Sequence, residues 1–117
     1  MANHNNTGKK GELLAADYLK SKGFTILHNN WRYSHYEIDI IVSRDNTLHF
    51  IEVKARRSTK FGLPEESVSH KKMQNLVNAA EEFLYQYPEW KRVQFDVLAI
   101  TINGQSAEYF FIEDVYL

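Results

Sequence analysis

With 117 residues, 44% hydrophobic and 25% charged, the chain has the size and balance of one soluble globular domain able to bury a single core. It has no cysteine, which excludes disulfides and thiolate metal sites, and no apolar run approaching the ~20 residues of a membrane span. A net charge of −1 sets aside a globally basic nucleic-acid binder, so such a partner would need a local patch. Lys54, Arg56, Arg57 and Lys60 offer one, and His70, Lys71 and Lys72 another. The polar N-terminal residues lack the apolar stretch of a secretory signal, which makes the cytoplasm the expected location.

In chain order, residues 1–6 are expected to fray. A helix is predicted from Thr7 or Gly8 to Lys22, with Leu14, Ala15, Tyr18 and Leu19 on its apolar face and Gly23 as its C-terminal cap. Phe24 to Asn30, Glu37 to Ser43 and Leu48 to Lys54 read as strands. Ala55 to Ser67, with Gly62 and Pro64, reads as a loop. Met73, Leu76, Val77, Ala80, Phe83, Leu84 and Tyr87 recur at helical spacing, with Ser69 as N-cap, a staple between Val68 and Met73, and Pro88 as the stop. Arg92 to Ile102 and Ala107 to Ile112 are further strands, joined through Asn103-Gly104. The prediction is one α/β domain over residues 1–117, in the order α-β-β-β-α-β-β. Its mixed sheet should carry an antiparallel meander, a helical crossover and helices on its faces.

The second hairpin brings charge together. With Asp45-Asn46 as a two-residue turn, Asp39 falls opposite Glu52 and Glu37 opposite Lys54, all on one face. Ile38, Ile40 and Val42 meet Val53, Ile51 and His49 on the other, apolar face. Ile41 and Phe50 continue the polar face as apolar residues. Directly opposed like charges destabilise a strand pair. Lys54 supplies part of the compensation, and a hard cation such as Mg²⁺ would supply the rest. The competing reading is an exposed ion-pair ladder at a strand end. A one-residue bulge would also separate Asp39 from Glu52. Glu12 lies between Gly8 and Gly11 on one side and Ala15 and Ala16 on the other. Small residues there would let the helix approach the sheet and bring Glu12 to the cluster, although a first-turn Glu is also favoured by the helix dipole.

Other chemistries find little support. None of the five histidines has metal-ligand spacing with another, and His49 alternates onto the apolar face. There is no Gly-rich phosphate loop and no serine in a nucleophile elbow. His70-Lys71-Lys72 opposes the dipole of the second helix, which a bound phosphate would relieve.

The ordered set Glu12, Glu37-Ile38-Asp39, Glu52-Val53-Lys54 resembles the E…D…ExK core of the restriction-endonuclease-like PD-(D/E)xK nucleases. Over nearly the whole chain it looks like the YraN-like family of small bacterial predicted endonucleases, similar to archaeal Holliday junction resolvases. Gly8-Lys9-Lys10-Gly11-Glu12, Asn30-Trp31-Arg32 and Phe50-Ile51-Glu52-Val53-Lys54-Ala55-Arg56 fit its first three blocks. Gly62-Leu63-Pro64-Glu65-Glu66 with Lys71, and Gln94-Phe95-Asp96-Val97, fit the later ones. One departure is Tyr36, where the family usually has Gly. The resemblance implies a metal-dependent endonuclease acting on DNA, branched or junction DNA included, and a homodimer. Asp39, Glu52 and the Val53 carbonyl would bind Mg²⁺ or Mn²⁺ with Glu12 assisting, while Lys54 would activate water. Arg56, Arg57, Lys60, Lys71, Lys72 and Arg32 would contact phosphates. The alternative is a non-catalytic nucleic-acid-binding module on the same fold.

Overall fold

Local chemistry sets the element ends in the computed structural model, which describes residues 2–57 and 70–115, with side chains from Gly8 onward. Helix α1 (Ala2–Ser21) closes at Gly23, whose φ of 91° favours glycine. Gly23 N–H donates to the Lys20 carbonyl at 3.1 Å and Phe24 N–H to the Leu19 carbonyl at 3.0 Å, the paired bonds of a Schellman cap. Phe24 and Leu19 then bury together. The helix starts earlier than expected, at Ala2, since no proline interrupts its first turns.

Strands β1 (Thr25–Tyr33), β2 (Tyr36–Arg44) and β3 (Thr47–Arg56) form the expected meander. Asp45 and Asn46 both take positive φ, 53° and 62°, as a two-residue hairpin with the strands' own twist demands. Helix α2 (His70–Gln86) crosses over to β4 (Val93–Asn103), which pairs parallel to β3, and β5 (Ser106–Ile112) returns antiparallel. The sheet order is β1-β2-β3-β4-β5. The last turn is Gly104-Gln105, between the paired Asn103 and Ser106, one residue later than the sequence suggested. The proposed Ser69 cap, the Val68 staple and most of the loop that begins at Ala55 lie outside the described residues, and β3 itself continues through Arg56.

Both sheet faces are apolar, so the hairpin has no polar face of the kind its alternation suggested. On the α2 side, Met73, Leu76, Ala79, Ala80 and Phe83 pack on Ile38, Ile41, Leu48, Phe50 and Val97. On the α1 side, Ala15, Leu19 and Phe24 pack on Ile40, Val42, Ile51, Leu98, Ile100 and Ile102. A sheet covered on both faces needs near-continuous apolar strands, as Ile38 to Val42 provide apart from Asp39. Of the two glycines expected to admit α1, only Gly11 does so. A Cβ there would collide with Ala55 Cβ, whereas Gly8 has open space around it.

His49 is packed, as its alternation suggested. Its Nδ1 lies 2.7 Å from Asp96 Oδ2, and Phe24 meets its ring edge-on at 4.9 Å. Asp96 Oδ1 accepts from Gln94 Nε2 and from Asp114 N–H, tying the C-terminal segment to the core.

Candidate active site

Asp39 reaches β3 through an irregularity rather than through cross-strand register. The β2–β3 ladder runs from Arg44↔Thr47 and ends at Ile40↔Ile51, one position short of Asp39 and Glu52. Beyond it, Asp39 Oδ2 accepts a hydrogen bond from Val53 N–H at 2.8 Å. A side-chain oxygen thus satisfies a donor in the sheet that the opposing main chain no longer serves.

Face occupancy explains the break. Ile38 and Ile40 are two residues apart and should share a face, yet Ile38 belongs to the α2-side core and Ile40 to the α1-side core. The strand therefore turns over at Asp39. Alongside, on β1, Asn30 lies between the pairs Asn29↔Ile40 and Trp31↔Ile38 with φ 54°, a conformation asparagine tolerates better than most residues. Two adjacent irregular positions release Asp39 from the pleat and aim its carboxylate at β3.

Glu52 follows ordinary alternation. Ile51 and Val53 face α1, so Glu52 faces α2, where it is 5% exposed. Its Oε2 pairs with Lys72 Nζ from the first turn of α2 at 2.8 Å. Lys54, two residues on, shares that face and interacts with Lys72, Glu52 and Asp39. Two acids and two lysines from three elements thus gather beyond the Ile40↔Ile51 end of the β2–β3 pairing, near the C-terminus of β3.

Their electrostatics are strained. Burial, and then the charge of Glu52, push Asp39 up to about 7, with the Val53 N–H working in the opposite direction. Burial and the Lys72 charge pull Lys54 below its ordinary value, against the attraction of Glu52. Burial also pulls on Lys72, but the hydrogen bond and charge of Glu52, with the charge of Asp39, outweigh it and hold its pKa above the usual lysine value.

Two expected members bond other partners. Among the described residues no hydrogen bond or ion pair joins Glu37 to Lys54, and the charge of Glu37 acts on Asp39. Glu37 accepts from Arg32 Nε and Nη2 at 3.3 and 3.2 Å, because Arg32 is its direct cross-strand neighbour. Glu12 Oε1 accepts from Asn30 Nδ2 at 3.4 Å. Among the described residues, no three acidic or histidine side chains converge as a metal cage. The donor set is a pair of carboxylates, which suits Mg²⁺, an ion bound through one or two carboxylates plus waters and substrate phosphates. Of the expected phosphate contacts, Arg56 is half-buried at the end of β3, Arg57 and Lys71 are exposed, and Lys60 lies outside the described residues. Lys72 is the residue whose place the sequence concealed. The signal was present in a first turn that has cations and no acid.

The profile of the uncharacterised protein family UPF0102 matches residues 11–100, a span containing Glu12, Asp39, Glu52, Lys54 and Lys72. A UPF0102 protein of Christiangramia forsetii is 41% identical over 116 residues, covering 99% of this chain and 98% of that protein. One of Bacteroides thetaiotaomicron is 39% identical, covering 93% and 88%, and one of Syntrophomonas wolfei is 43% identical, covering 85% and 88%. The chain belongs to the UPF0102 family. UPF0102 is the YraN family, so the kinship that the ordered motifs suggested holds at the level of the family. Among the described residues of this UPF0102 protein, no helix is long and apolar enough to cross a membrane.

Proposed function

We propose that this UPF0102 protein is a metal-dependent phosphodiester hydrolase that cuts DNA, with branched or junction DNA as its candidate substrate. The observation that carries the reading is the acid pair. Asp39 is fixed on the β3 main chain beside buried Glu52 and pushed up to about 7, a state that a divalent cation between the two would relieve. Asp39 and Glu52 would hold Mg²⁺ or Mn²⁺, with the Val53 carbonyl and Glu12 as further ligands by family likeness. The bound ion would lower the pKa of a water and polarise the phosphoryl oxygen.

The chain's own groups do the rest. Val53 N–H fixes the direction of the Asp39 carboxylate. Lys54, its pKa lowered by burial and by Lys72, orients the attacking water and sets positive charge where the transition state gathers negative charge. Lys72 pairs with Glu52 and offsets its charge. Arg56, Arg57, Lys60, Lys71 and Arg32 meet backbone phosphates, which makes binding salt-dependent. Symmetric cleavage of a junction requires two sites, so the reading includes a homodimer, acting in the cytoplasm.

The Lys72–Glu52 ion pair also favours a second reading, in which a cation already held by the protein keeps the site closed and the fold only binds nucleic acid. Assays on duplex, single-stranded and four-way-junction DNA with Mg²⁺ or Mn²⁺ separate the two. The proposal expects metal-dependent cuts that Lys54→Ala abolishes. Salt-sensitive binding without cutting supports the second reading, and cutting that Lys54→Ala leaves intact removes the assigned mechanism.

A further inference from the structure

At the other end of α2 from Lys72 the surface changes character. A groove of about 420 Å³ opens between that helix and the β1–β2 hairpin, lined by Tyr33, Tyr36, Asn78, Glu81, Glu82 and Tyr85. Tyr85 is 82% exposed and Tyr33 46% exposed, while Tyr36 packs partly into the core beneath. Tyr36 stands where the family resemblance led to an expectation of glycine, and its ring is one wall of the groove.

Charge narrows the choice of occupant. No described lining residue is cationic. Among the described residues neither Glu81 nor Glu82 has an ion-pair partner, and Glu82 instead accepts from Gln86 Nε2 at 2.9 Å. Glu81 and Glu82 immediately precede the last turn of α2, which carries no cation to offset them. Two uncompensated carboxylates beside three tyrosine rings repel phosphates and attract a flat or compact cation, which gains from aromatic faces as well as from opposite charge. Lys72 and Glu81 are nine residues apart, about 14 Å along the helix, so the helix presents a basic end and an acidic end to different partners.

We propose that this tyrosine–glutamate groove docks a basic side chain, arginine above all, of a protein partner. Arginine fits best because its planar guanidinium stacks on rings while donating to carboxylates. The site is separate from the acid pair and does not depend on cleavage.

The test titrates the full chain with a short capped glycine–arginine peptide and with its neutral citrulline counterpart, following the NMR signals of Asn78, Glu81 and Tyr85. The arginine peptide should shift them, and the citrulline peptide should bind roughly three- to thirtyfold more weakly. Tyr85→Ala and the double change Glu81→Gln with Glu82→Gln should each weaken the arginine peptide by a similar factor, and Lys71→Ala should not. Equal binding of the two peptides, or indifference to the glutamate changes, overturns the proposal. So does a single-stranded oligothymidylate that shifts the same signals and loses that effect in Tyr85→Ala, an outcome that would assign the groove to nucleobases.

Discussion

Among the described residues, Asp39 is the one whose ionisation the fold displaces furthest. Folded, it keeps its proton to about 7, against 3.8 for an unperturbed aspartate, because it is buried beside Glu52. Between those values the folded state binds more protons than the unfolded state. The contribution of this group therefore lowers stability as pH rises from about 4 to about 7 and is constant above that range. Asp39→Asn removes this slope and keeps an oxygen for Val53 N–H. Thermal unfolding without added metal should show the variant gaining on the wild type between about pH 4 and about pH 7, and an unchanged gap contradicts the account. Divalent cation binding, which needs the ionised acid, should strengthen over the same range. Lys72→Ala tests the partner of Glu52. Breaking a buried pair costs roughly 3–5 kcal/mol, and the half-exposed lysine reduces this to about 1–2 kcal/mol. If Lys72 stands in for a cation, Mg²⁺ should raise the melting temperature of Lys72→Ala more than that of the wild type.

At the scale of elements, the approach of α1 to β3 depends on one missing methyl group. Gly11→Ala would drive a Cβ into Ala55, an overpacking that costs about 1–3 kcal/mol, against about 0.5–1 kcal/mol regained from helix propensity. Chemical denaturation should find the single variant destabilised and Gly11→Ala with Ala55→Gly substantially restored. Unimpaired stability of the single variant would mean that the helix can shift away without loss. The order of elements was legible in the sequence because its signals are local: Gly23, the Asp45-Asn46 turn, Pro88 and the apolar spacing of α2. The hairpin register was legible for the same reason, as far as Ile40↔Ile51. The turning-over of β2 at Asp39 was not, since it depends on Asn30 of the neighbouring strand adopting a left-handed conformation. The position of Lys72 on Glu52 was hidden too, because it follows from how α2 lies across the sheet, and helix spacing carries no information about that.

Across the whole molecule, the catalytic reading and the stability of the fold are separable. His49 and Asp96 join β3 to β4 at the N-terminal end of their pairing, and Asp96 also holds Asp114 N–H, all within the interior. Asp96→Ala leaves His49 and Asp114 N–H without their buried acceptor and should cost about 1–3 kcal/mol, read as a fall in denaturation midpoint. Its effect on the Asp39–Glu52 cluster should be small in the molecules that remain folded. The acid pair lies further along β3, with Lys72 covering one carboxylate and the Val53 main chain fixing the other. The most direct test of the central claim is cleavage of labelled four-way-junction and duplex DNA in Mg²⁺ by the wild type and by Glu52→Ala, with folding and DNA binding checked for both. The account predicts cutting by the wild type that stops when the metal is chelated and is absent in Glu52→Ala despite retained DNA binding. Equal cutting by the two proteins, or none by a folded, DNA-bound wild type in either Mg²⁺ or Mn²⁺, would contradict it.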